Sequence, residues 1–329
     1  MHATGSDRTP PVPHVSAIIP TVGRPDLAVR AVRSALEQTM QDLEVVVVLD
    51  GPDPDTRARL RSIEDPRLRV IELGVRSRQG AARNAGVRAA QGWWIAFLDD
   101  DDEWLPGKLE AQLAVARSSS FDRPVVAARV RARRDDADGP VWPRRLPDPG
   151  EPFSEYLFAR RTPFWGETLV HTSTLLLPRD LIRELPFRED LVKNEDLDWL
   201  LRALVRPGVG LEFAPDPEPL AIWSVDAGRP RTSRRPDWRS SLAWVRSVRP
   251  FVTRRAYAAF LLTWAAADAA RERSLAAVWS LPVEAFRHGR PRPRHLLVFL
   301  GIWLVPTVLR ERLGRSRSSE VGKRNRLGA

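Results

Sequence analysis

The chain contains no cysteine, which excludes disulfides and thiolate metal sites and fits a reducing compartment. It has only three lysines, Lys108, Lys193 and Lys323, so arginine is its default cation. An apolar run of about 20 residues, the length a membrane-spanning helix needs, is missing. The most apolar stretch, Leu296 to Leu309, stops at 14 residues and reads as a buried or interfacial helix. Residues 1–14 lack an apolar centre and carry Pro10, Pro11 and Pro13, so they read as a disordered leader rather than a signal peptide. No repeat of fixed period is visible.

What is present describes a globular protein of one large or two modest domains: 329 residues, 43% hydrophobic and 29% charged. The net charge of +10 is unevenly spread. Residues 1–150 hold 22 Lys/Arg and 22 Asp/Glu, residues 151–225 hold 8 and 13, and residues 226–329 hold 22 and 7. Such a basic C-terminal third attracts an anionic membrane face or another polyanion. An arginine-rich solvated surface is the alternative.

Strands and helices alternate through the first half. Val15–Ile19, Leu43–Leu49, Leu68–Leu73 and the run from Trp93 to Leu98 read as strands. Helices are predicted from Pro25, around Asp55–Ile63, over Gln79–Ala90 and from about Leu105 to Ala116. This spacing predicts an α/β fold, a mostly parallel sheet flanked by helices, over residues 15–225. Beyond Phe121 the pattern loosens. Val125–Val130 and Ser173–Leu177 read as short strands, Arg131–Gly150 as a charged, proline-rich loop, and Asn194–Leu204 as an amphipathic helix that opens with acids. Residues 226–329 read as a basic linker followed by a helical region.

The run Asp99-Asp100-Asp101-Asp102-Glu103 stands directly behind a buried strand. That is the edge where open α/β sheets bind ligands, and folding alone gives no reason to crowd like charges there. A divalent cation does, since Mg²⁺ or Mn²⁺ is held by one or two carboxylates plus substrate phosphates. A solvated acidic turn is the bland alternative.

Five segments in order resemble the family 2 glycosyltransferases: Val15–Pro20 with Thr21 and Arg24; Val45–Asp50 with Gly51; Arg78–Gly86; Phe97–Asp102; and Glu195-Asp196. The resemblance covers roughly residues 15 to 225. It implies the GT-A (Rossmann-like) fold, an inverting mechanism and nucleotide-sugar donors. It also implies that Pro20, Thr21 and Arg24 line the nucleotide cleft and that Asp50 accepts a hydrogen bond from the base. Asp50 also suits an ordinary Asp-Gly turn. Arg83 is placed to meet the diphosphate or steady the sheet edge, with a surface ion pair as the alternative.

Asp99 and Asp101 match the family's Asp-x-Asp pair, one toward donor ribose or metal and the other on the metal. Asp100 and Asp102 compete for these assignments, because four consecutive aspartates permit a one-residue slip. The resemblance gives Asp196 the part of catalytic base; helix capping is the competing explanation. His171, Thr172 and Ser173 lie on the acceptor side, although a lone histidine is more often structural. Trp165 and Trp199 suit either sugar stacking or core packing.

The expected function is therefore a glycosyltransferase dependent on Mn²⁺ or Mg²⁺. It would move a sugar from a nucleotide-diphosphate donor to a hydroxyl of a lipid-linked or glycan acceptor, at the cytoplasmic face of the membrane. A sugar-phosphate nucleotidylyltransferase would want a glycine- and lysine-rich loop after the first strand, and Pro20-Thr21-Val22-Gly23 is not one. A membrane-associated binding protein with a degenerate site leaves both the acidic cluster and Asp196 without a purpose. Nucleic acid is not an expected partner, because the last arginine-rich residues lack interleaved aromatics.

Overall fold

A computed structural model describes residues 14–134, 137–162, 166–214, 218–225 and 236–305. The expected leader, most of the expected linker, Trp165 and the end of the C-terminal apolar stretch lie outside them. Strand β1 (Val15–Thr21) is buried at every position, as is β2 (Leu43–Leu49) with its four consecutive valines. Strands apolar on both faces belong in the middle of a sheet covered by helices. They do lie there, in a seven-stranded sheet of order β10-β6-β9-β4-β1-β2-β3. The remaining members are β3 (Leu68–Glu72), β4 (Trp94–Phe97), β6 (Arg123–Ala127), β9 (Leu176–Pro178) and β10 (Val209–Phe213). Within this sheet β9 alone runs against the others.

The helices follow the predicted alternation. They are α1 (Pro25–Leu36), α2 (Pro54–Arg61), α3 (Gln79–Ala89) and α4 (Lys108–Ser118). Pro25 and Pro54 each open a helix, where the missing N–H costs nothing. Helix α3 lies unusually close to the sheet. A Cβ on Gly86 would stand 2.4 Å from Ile18 Cγ2, so only glycine permits this approach. The same contact carries Arg83, one turn earlier, under the sheet's C-terminal edge.

Two expectations in the middle of the chain need correction. Arg131–Gly150 is not simply a loop: β7 (Val130–Arg134) and β8 (Ala137–Trp142) pair antiparallel. They join β5 (Glu103–Trp104) and β11 (Ala221–Ser224) in a second sheet of order β5-β11-β7-β8. On β7 the charged residues alternate with buried Val130 and Ala132, and Arg133 pairs with Asp138 and Glu103. The period-2 pattern was hidden by arginine on the outer face. Likewise the strand expected at Ser173 starts later. Thr172–Thr174 is a 3-10 turn and β9 begins at Leu176.

After the short helices α5 (Phe153–Phe158) and α6 (Arg179–Glu184) comes α7 (Glu195–Ala203). The C-terminal region is helical as expected: α8 (Trp238–Ser247), α9 (Arg254–Phe260), a π-helical stretch Leu261–Ala265, α10 (Ala266–Arg271), α11 (Leu275–His288) and α12 (Pro293–Leu304). These helices share one continuous core with the large sheet. Phe158 of α5 packs edge-on against Phe260 at 5.1 Å and Trp244 at 6.3 Å.

Helix α12 is seated by His295, which is 3% exposed. Its Nδ1 accepts the Arg292 backbone N–H at 3.3 Å. Burial, followed by the charges of Arg294, Arg255 and Arg292, pushes this imidazole down to about 4. Below the ordinary imidazole range the unfolded chain therefore takes up a proton that the folded chain refuses. Stability from this group is complete above about pH 6.5 and drains away as pH falls toward 4. Lowering pH from 7.5 to 5 should cost the native protein about 1–2 kcal/mol more than it costs His295→Asn. Urea midpoints at the two pH values measure this, and equal losses in both proteins would rule out His295 as the source.

Candidate active site

The strand order reverses about β1, with β2 and β3 on one side and β4 on the other, so a crevice opens beyond the strand C-termini. Three sequence-predicted residues meet across it. Thr21 at the end of β1 donates its hydroxyl to Asp100 Oδ2 at 2.7 Å. Arg24 Nη1 donates to Asp100 Oδ1 at 3.0 Å and stands 3.7 Å from Asp101. Pro20 is buried within β1, opposite Val48.

Asp50 lies just beyond β2 and is buried. Its two carboxylate oxygens accept the backbone N–H groups of Ser77 at 2.6 Å and Arg78 at 3.1 Å. Arg78 takes a positive φ of 78° there and opens α3. Asp50 thus ties the strand edge to the start of α3, a task its sequence context did not announce.

The four aspartates have four different environments. Asp99 accepts from Arg83 Nη2 at 2.6 Å and Gln79 Nε2 at 3.1 Å. Burial would raise its pKa, but Arg83 and His171 outweigh that and hold it below the usual carboxylate range. Asp100 is pushed up to about 6 by burial, with Arg24 and Thr21 offsetting part of the effect. The backbone carbonyl of Asp101 accepts from Arg30 at 2.9 Å. Asp102 is 1% exposed, and burial, then repulsion from Asp101 and Asp99, drives its pKa well up.

Arg83 is not a surface ion pair: it is 1% exposed. Its Nη1 meets Glu195 at 2.8 Å while Nη2 meets Asp99. Burial disfavours its charge, yet Asp99, Glu195 and Asp196 together raise its pKa above the ordinary guanidinium value. Asn84 beside it grips the chain ahead of α7. It donates to the Phe187 carbonyl at 2.9 Å and accepts the Phe187 N–H at 3.0 Å.

Asp196, in the first turn of α7, is half-buried. Its Oδ2 accepts the Thr172 hydroxyl at 2.7 Å and its Oδ1 the Leu197 N–H at 2.7 Å. Asp198 points the other way into the core. It is 0% exposed and takes bonds from Arg202 at 2.7 Å and Trp244 at 3.3 Å. Trp199 is likewise core, donating to the Leu185 carbonyl at 2.6 Å.

The turn His171–Thr174 joins the two halves of the site, and sequence reasoning undervalued it. Ser173 Oγ donates to Asp102 Oδ2 at 2.6 Å and accepts the Asp99 N–H at 3.1 Å. His171 Nδ1 lies 3.6 Å from Asp102, and its ring packs 4.8 Å from that of Trp223. Ligand atoms of Asp99, Asp102 and His171 all fall within 4.8 Å of one another, a spacing suited to one small cation. The available signal was four consecutive polar residues, His171-Thr172-Ser173-Thr174, placed directly before the apolar run Leu175-Leu176-Leu177.

Comparison with known proteins gives the fold and the family. The S. aureus TarS 1-349 structure in complex with UDP-GlcNAc superposes with a TM-score of 0.54 at 18% identity, covering 72% of this chain and 66% of that one. At that identity the likeness establishes the GT-A fold. The amylovoran biosynthesis glycosyltransferase AmsB of Erwinia amylovora is 25% identical over 248 residues, 73% of this chain and 79% of that protein. An Escherichia coli protein, WfaP, is 34% identical over 99 residues, 30% of this chain and 39% of its own. Its name is UDP-Glc:alpha-D-GlcNAc-diphosphoundecaprenol beta-1,3-glucosyltransferase. The family model for glycosyl transferase family 2 spans residues 16–185, more than half of the chain and the crevice residues from Pro20 to Asp102, and the protein belongs to that family of transferases.

Proposed function

We propose that this enzyme moves a sugar from a nucleotide-diphosphate donor to a hydroxyl of a lipid-linked or polysaccharide acceptor at the cytoplasmic membrane face, with inversion at the anomeric carbon. The observation that carries the reading is the Arg83 bridge, which fixes a donor-side carboxylate, Asp99, and the acid-rich start of α7 to one rigid group. The bound nucleotide lies in the crevice lined by Pro20, Thr21, Arg24, Asp50, Asp99 and Asp100. Arg83 acts there by positioning Asp99. The acceptor hydroxyl approaches Asp196, which takes its proton as the oxygen attacks the anomeric carbon and the nucleotide diphosphate departs from the opposite side. The relatives named for amylovoran synthesis and for a diphosphoundecaprenol-linked acceptor support a cell-envelope glycan as the product class.

The residues present fit a divalent cation. Two carboxylates and an imidazole converge, and Asp102 carries a cost of burial and like-charge repulsion that a cation would relieve. A nitrogen donor among oxygens favours Mn²⁺ over Mg²⁺. Asp99, Asp102 and His171 would hold the ion; Asp101, the second member of the Asp-x-Asp pair, is the alternative ligand. When bound, such an ion neutralises charge on the departing diphosphate.

Thermal unfolding with nucleotide diphosphates, with and without Mn²⁺, tests the reading. A ligand that binds only the native state raises its melting temperature. UDP with Mn²⁺ should stabilise the protein, a chelator should remove most of the gain, and Asp102→Asn and His171→Ala should abolish the metal-dependent part. Retention in those two variants with loss in Asp101→Asn would move the ion to the Asp-x-Asp pair. A gain indifferent to chelator would remove the metal from the proposal.

A further inference from the structure

Helices α11 and α12 are apolar on two opposite faces. The inward residues of α11, Ala277, Leu281 and Ala285, are completely buried. On its other side Leu275, Trp279, Val283 and Phe286 are 59–78% exposed and fall within an arc of about 80° at helical spacing. Helix α12 repeats the arrangement, with Phe299 inward and Leu297, Leu300 and Leu304 outward at 51–77% exposure. Both helices rest on the π-helical stretch Leu261–Ala265. Seven of the twelve large apolar side chains exposed among the described residues belong to these two helices. Scattered exposed leucines need no explanation, but a concentration of this kind marks a surface that something covers.

Charge decides what covers it. Arg273, Arg287, Arg290 and Arg292 stand exposed beside the two helices; Arg271 pairs with Asp268, Glu284 is taken up by Arg246 at 2.7 Å, and Glu272 is the one exposed acid next to them. Residues 306–329 add seven Lys/Arg against two Glu. A second copy docking through the same patch would set these arginines against their own counterparts. An anionic bilayer complements them. Among the described residues no helix is long and apolar enough to cross a membrane, so the surface lies on the bilayer.

We propose that α11 and α12 form a docking surface for anionic phospholipid bilayers, seating their seven outward apolar side chains at the headgroup–acyl boundary with the arginines among the headgroups. This deepens the reading of an enzyme that works on a membrane-held acceptor and rests on it for its purpose, yet its test does not pass through catalysis.

The full chain is sedimented with vesicles of phosphatidylglycerol and phosphatidylethanolamine, and separately of phosphatidylcholine alone. The native protein should pellet with the anionic vesicles. A Trp279→Ser, Phe286→Ser, Leu297→Ser, Leu300→Ser variant should partition about 100-fold less. Arg287→Gln, Arg290→Gln, Arg292→Gln, or 0.5 M salt, should weaken binding roughly 10- to 100-fold. Circular dichroism and the UDP melting shift should be unchanged in both variants. Failure of the native chain to bind at low salt, or equal binding by the apolar variant, overturns the proposal. So does a dimer in sedimentation velocity that this variant converts to monomer without any vesicle binding, which assigns the patch to a second copy. Vesicle binding without any response to nucleotide diphosphates would instead overturn the proposed donor site and leave the docking surface standing.

Discussion

Asp196→Asn should bind nucleotide diphosphate as well as the native enzyme and lose roughly 10²–10⁴-fold in turnover. Asp196 Oδ2 faces the Thr172 hydroxyl at the edge of the cleft, and the residue is half-buried, so an incoming hydroxyl can still reach it. Asparagine keeps the shape and an acceptor oxygen but cannot take a proton. A base acts only as the acceptor's O–H breaks, so its loss belongs to kcat rather than to donor affinity. Asp198 provides the control. Its carboxylate is fully buried between Arg202 and Trp244, so Asp198→Asn should lower stability and leave the turnover of the folded fraction near normal. Steady-state kinetics beside a nucleotide melting shift separate the two. Normal turnover in Asp196→Asn would move the base elsewhere.

The second large effect is on folding. Arg83→Met should cost about 3–5 kcal/mol, because removing one partner of a buried ion pair strands the charge that remains. Two carboxylates, Asp99 and Glu195, would be stranded here. Lysine should rescue little, since its single ammonium cannot meet two acceptors that a planar fork meets together. A second replacement, Glu195→Leu, made on top of Arg83→Met should recover part of the loss by removing one stranded acid. Urea unfolding of the four proteins gives the result. A cost below about 1 kcal/mol for Arg83→Met would mean that solvent enters and shares the charge.

Much of the first half was legible because its signals were local. Valine runs, helix-opening prolines and 3.6-residue spacing placed β1, α1, β2 and α3 within a residue or two. The acidic cluster was legible for a different reason: folding offers no motive for it. What stayed hidden depended on partners distant in sequence. Arg83 looks like any helical arginine until Glu195, 112 positions later, is brought to it. The strand pair β7–β8 was masked because its outward positions carry arginine and aspartate that pair only once the hairpin exists. The turn at His171 gains its meaning from Asp99 and Asp102, more than 60 residues earlier. The second apolar face of α11 was unreadable by periodicity, since a helix apolar on opposite sides resembles one that is simply buried.

The close seating of α3 has a further consequence. Gly86 lets the helix touch the sheet, Arg83 holds Asp99 and Glu195, and Asn84 clasps the segment of chain that leads into α7. Under the proposed function helix α3 is therefore a gauge block between the leaving-group side of the cleft, at Asp99, and the nucleophile side, at the start of α7. The span between those two sides is then set by α3 and its two ion pairs rather than by the loops around it.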